Sequence, residues 1–157
     1  MTRFIPHGEV RVHREGRIFV LEGHGPWNVE ALQHSTDKAQ PILKELSGAP
    51  WGVMASIYGE PIHVPDAEAH LIQLVKKDIE NGRVGTALIV EKSNSPSFAT
   101  QHFSSIYQQA GDNVEVFNDT IAAKRWLINT IQLAQSNLEK CSRGKNDAVC
   151  NSNLCIF

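Results

Sequence analysis

Two stretches, WGVMASIYG at 51–59 and VGTALIVE at 84–91, are almost wholly apolar and too short to be buried helices. Between them, from Asp66 to about Asn81, apolar residues recur at helical spacing, with Pro65 at the start and an Asn-Gly stop at 81–82. A strand, a helix and a second strand in that order form a parallel crossover. Strands without a polar face must be covered by other elements on both sides. That one unit commits the chain to a layered α/β fold.

The rest of the chain extends the pattern. EVRVHR at 9–14 alternates as a half-exposed strand does, and Glu-Gly at 15–16 reads as a hairpin turn into RIFVLEG at 17–23. From Val29 to Leu46 the apolar positions follow helical spacing, with Asn28 as N-cap and Pro41 expected to bend the helix. EPIHVP and KSNSPS read as loops, FATQHFSSIYQQA as a third helix, VEVF at 114–117 as a short strand, and the stretch from Asn118 to Lys140 as a last helix capped by Asn118. The order is ββαβαβαβα. It predicts a mostly parallel five-stranded sheet with an antiparallel edge strand and covering helices, in one domain over residues 1–138. Residues 139–157 lack periodicity and read as a flexible tail carrying Cys141, Cys150 and Cys155, expected to be reduced thiols.

Composition narrows the functional classes. With 157 residues, 41% hydrophobic, 20% charged and a net charge of −2, the chain has neither the basic field of a nucleic-acid binder nor an apolar span of membrane length. MTRFIPHGEV lacks the apolar segment of a secretory signal, so the expected location is the cytoplasm.

Motif tests remove most chemistry. GHGPWN at 23–28 places Gly23 and Gly25 as a dinucleotide loop would, but Asn28 stands where the third glycine belongs. Pro26 has no N–H for a phosphate. A turn leading into an N-cap explains the stretch, and Trp27 before the cap reads as a staple on the helix's first turn. His24, His63 and His102 are expected near one sheet edge without metal-ligand spacing, so no metal or cofactor is expected. Ser56 lacks the glycines of a nucleophile elbow.

Two stretches, VEVFNDTIAAKRWL and KAQPILKELSGAPWGVMASIYG, resemble the closing segment and the first helix with central strand of the SpoIIAA-like branch of the STAS domains. The likeness runs from about residue 9 to 128. It implies a small α/β domain that binds proteins or ligands. In the anti-sigma antagonists of that family a serine opening the second helix is phosphorylated. Here that junction reads GEPIHVPDAEAH, and no Ser or Thr occurs between Ser56 and Thr86, so no phosphoacceptor carries over.

The first expectation is a non-enzymatic regulatory module engaging a protein partner at the C-terminal ends of the parallel strands. Its candidate contacts are Gly25, Trp27, Asn28, Tyr58, Glu60, His63, Lys92 and Ser93. The alternative, suggested by the lipid-exchange SEC14 relatives, is a small apolar ligand in a cavity of several hundred Å³ (order of magnitude) under the helices. An enzyme ranks third, because no nucleophile, base and orienting group assemble from the motifs. The last helix carries apolar residues beyond one stripe (Trp126, Ile128, Leu133), which leaves a homodimer open.

Overall fold

The computed structural model describes residues 8–143. Its elements are β1 Glu9–Glu15, β2 Ile18–Trp27, α1 Val29–Leu46, β3 Trp51–His63, α2 Pro65–Glu80, β4 Arg83–Ile89, α3 Pro96–Gln109, β5 Val114–Phe117 and α4 Thr120–Arg143. The sheet order is β1-β2-β3-β4-β5, with β1 antiparallel to β2 and every other pairing parallel. This is the predicted five-stranded mixed sheet.

Strands that advance in one direction through crossovers of one hand deliver their helices to one face. Accordingly, α1, α2 and α3 share a core with Phe19, Trp51, Val53, Ile57 and Leu88. On the opposite face, among the described residues, α4 is the one helix that packs, through Ala123, Leu127 and Ile131, onto Ile18, Val20, Met54, Ala87 and Ile89. Residue alternation along each strand divides the two sets.

Local chemistry fixes the ends. Asn28 Oδ1 accepts the Ala31 N–H at 2.9 Å, capping α1 as expected. Arg17 ties down the other end of that helix, its guanidinium donating to the carbonyls of Leu46, Ala49 and Pro50. α1 runs unbroken through Pro41, which lies on its exposed side.

Four expected boundaries are corrected. GHGPW is strand rather than turn, because β2 continues to Trp27. EPIH is strand rather than loop: β3 passes Gly59 at φ +69° and regains pairing where His63 aligns with Trp27, after a register shift between Gly25 and Trp27. The last helix is capped by Asp119 instead of Asn118, its Oδ1 accepting the Ala122 N–H at 2.8 Å. That helix also runs on to Arg143, past the expected start of the tail. Cys141, in its last turn, is disulfide-bonded rather than a reduced thiol. Cys150 and Cys155 lie outside the described residues.

A buried ionic network closes the lower end of the core. The Arg83 side chain, only 5% exposed, meets Asp112 Oδ2 at 2.9 Å and Asp78 Oδ2 at 3.3 Å, and donates to Thr86 Oγ1 at 2.6 Å. Its guanidinium lies 5.3 Å from the Tyr107 ring centroid. Burial pushes the Asp78 carboxyl above its usual range, against the opposing pull of Arg83.

Candidate functional site

Between the sheet and α1–α2 lies an apolar cavity of about 570 Å³. It exists because α1 packs mainly against β1 and α3 against β3 and β5, while α2, between them, approaches the sheet least. β2 contributes Gly23 to its floor, and Val12, Leu21, Val53, Leu43 and Leu71 supply much of the wall. The ionic network of Arg83 and Asp78 bounds one end, and Trp27, His63 and Phe103 bound the other. Because the strand order never reverses, the sheet lacks the crevice that reversal opens in doubly wound folds. Its space lies between layers and opens to solvent past exposed residues such as Gln40, Lys44 and Lys77.

Trp27 reaches this end because β2 has no side chains beneath it. A Cβ on Gly23 would lie 2.9 Å from indole Cζ2, and one on Gly25 would lie 2.7 Å from Cζ3 and 1.9 Å from the Glu60 carbonyl oxygen. The indole stacks on His63, centroids 4.8 Å apart, and Phe103 meets both rings edge-on. Its main ring partners thus come from β3 and α3, beyond the expected staple. Trp27 Nε1 is buried with no acceptor among the described residues, an arrangement that costs about 1–3 kcal/mol.

His63 Nδ1 lies 3.0 Å from His102 Nε2, and the His102 ring stacks on Phe98 at 5.4 Å. Burial, helped by the neighbouring His102, lowers the His63 pKa to about 3. Burial also lowers that of His102, with the Glu68 carboxylate pulling the other way. Both rings are therefore neutral near pH 7, and one must donate while the other accepts.

The remaining sequence-predicted residues fall on other duties. On the α4 side of the sheet, Tyr58 stacks on His24 at 4.6 Å and Lys92 Nζ lies 5.9 Å from the Tyr58 centroid. Glu60 Oε1 accepts from Asn94 Nδ2 at 3.0 Å, and Ser93 Oγ accepts the Ser95 N–H at 3.0 Å. Asn28 is the helix cap. The sheet thus separates Trp27 and His63 from Tyr58 and Lys92, so the eight residues share an edge without forming one pocket. Phe98, Phe103 and Arg83 were absent from that expected set. Arg83 had a weak signal, a cation directly before an apolar strand.

The layer order, strand order and three-plus-one helix placement define a SpoIIAA-like α/β fold. A crystal structure of an uncharacterized protein from the DUF3478 family, with a SpoIIAA-like fold and from Shewanella loihica PV-4, superposes with a TM-score of 0.58. The match covers 81% of this chain and 98% of that one at 15% identity, a likeness of fold. No family model matches the chain, and no curated protein does. Among the described residues no helix is long and apolar enough to cross a membrane.

Proposed function

We propose that this protein is a non-enzymatic binding module that holds a small apolar molecule between its sheet and the α1–α2 pair. The observation that carries the reading is the cavity of about 570 Å³, within the ~300–1,000 Å³ span of ligand sites. Its walls are mainly aliphatic and aromatic. The buried polar network at its lower end is saturated by its own members, which favours an apolar occupant. Native mass spectrometry of the freshly purified protein should reveal a retained small molecule, and Nile red should bind saturably with a blue-shifted emission. Failure of both overturns the reading.

A second reading, a regulatory contact with a protein partner at the strand ends, is favoured by a separate observation. Ile62, Val64 and Phe98 are 47%, 46% and 48% exposed there. Affinity capture from the native cell, comparing the wild type with Phe98→Ser, tests it. A specific partner lost from the variant supports this reading, and identical captures count against it.

A further inference from the structure

We propose that His63 Nε2 is the polar contact for the cavity's occupant, which is an uncharged apolar molecule bearing one alcohol or carbonyl oxygen. This rests on the reading of the cavity as a ligand site and names the class of ligand.

His63 lines the cavity and is 7% exposed. Its Nδ1 is engaged with His102 Nε2 at 3.0 Å, and its Nε2 makes no hydrogen bond among the described residues. The ring is held in place by Trp27 on one face and Phe103 at its edge, so Nε2 has a defined position. The other buried polar side chains around the space are less available. Arg83 is bonded to Asp112, Asp78 and Thr86, and Trp27 Nε1 is shut off from solvent.

The histidine pair offers either hydrogen-bonding sense without acquiring charge. When His63 Nδ1 donates to His102, His63 Nε2 is an acceptor suited to an alcohol. When His102 Nε2 donates instead, His63 Nε2 carries the proton and suits a carbonyl. An anionic head is disfavoured. Neither imidazole is cationic near neutrality, the Glu68 carboxylate acts on His102, and the Arg83 charge at the far end is already matched by Asp112 and Asp78. The other two cations of the lining, Lys44 and Lys77, sit in the last turns of α1 and α2 and are exposed to water, away from the His63 end.

The test displaces Nile red with octane, octan-1-ol, octan-2-one and octanoate at pH 8, from the wild type and from His63→Phe, which keeps an aromatic ring in the stack. The variant should bind octan-1-ol and octan-2-one about five- to tenfold more weakly, while octane changes less than about twofold. Octanoate should be the weakest of the polar three on the wild type. Equal loss for all four, no loss for any, or octanoate binding tighter than octan-1-ol overturns the inference while leaving the apolar-ligand reading intact. Absence of any binding by Nile red or octane removes that reading and this inference with it. Should His63→Phe fold poorly, the ¹⁵N resonance of His63 Nε2 in the wild type decides. It should move on adding octan-1-ol or octan-2-one and stay with octane, and no movement with either polar probe overturns the proposal.

Discussion

His63 combines burial, an aromatic stack and a bond to a second imidazole, and each has a measurable consequence for stability. Its folded-state pKa is about 3, against about 6.5 in an unfolded chain. The unfolded chain therefore takes up the proton first. Stability is whole above about pH 6.5 and declines as pH falls toward 3, by on the order of 2 kcal/mol at pH 5 from this group alone. His102, also lowered, acts in the same direction. Asp78, whose pKa is raised, acts in the opposite one, binding its proton more readily in the folded state. Urea denaturation of the wild type and His63→Phe at pH 7.5 and 5 isolates the histidine, because Asp78 is common to both. The variant should lose less stability over that interval, and parallel losses would show that His63 is not buried neutral. Gly25 makes a second residue-scale claim. An alanine there would place its Cβ 1.9 Å from the Glu60 carbonyl oxygen, a backbone atom that cannot rotate away. Gly25→Ala should cost at least the ~1–3 kcal/mol of ordinary overpacking, read as a lower urea midpoint. A midpoint within error of wild type would mean that β2 and β3 do not approach so closely.

At the scale of elements, α4 is the sole helix seen on its face of the sheet among the described residues, and its seat is tight. A Cβ on Gly52 would lie 2.7 Å from Leu127 Cδ2, and Leu127 is fully buried. Leu127→Ala should cost about 2–5 kcal/mol, and Gly52→Ala about 1–3 kcal/mol. Combined, the new methyl occupies part of the void left by the leucine. The double variant should then be less destabilised than the sum of the singles, by about 0.5–3 kcal/mol; strict additivity in thermal denaturation would place α4 elsewhere. Such a helix was legible in the sequence, because the stripe of Ala123, Leu127 and Ile131 has one period. Strands at 51–59 and 84–91 were legible for a related reason, since unbroken apolar runs leave little choice of environment. The end of β3 was not. Pairing past Gly59 depends on the neighbouring β2, whose own Gly25 and Trp27 are locally irregular, and no window of sequence holds both. The cap of α4 also escaped, since Asn118 and Asp119 are adjacent residues with nearly equal capping chemistry. His63 and His102 were expected near one edge, yet their bond joins residues 39 positions apart and left no local pattern.

At the scale of the molecule, the described residues form a sheet clad by three helices on one face and one on the other, and the cavity depends on that asymmetry. α4 lies directly on its strands, while α1 and α3 take the flanks of the opposite face and α2 bridges the middle at a distance. Amphipathic periodicity reveals which side of a helix faces inward but carries no information about how far the helix stands from the sheet. The space between the layers and its rough size were consequently expectations borrowed from a resemblance, and its lining and polar end came only with the structure. The arrangement makes a claim about function that a single substitution can separate from packing. Ala39 is buried on α1 and lines the cavity. If the space is open in solution, Ala39→Phe fills it and should stabilise the fold by about 0.5–2 kcal/mol while abolishing saturable Nile red binding. If the helices instead close onto the sheet in solution, the same ring overpacks the core and should destabilise it by about 1–3 kcal/mol. The two outcomes differ in sign, so thermal denaturation of one variant, read beside its dye titration, decides whether the layers enclose room for a ligand.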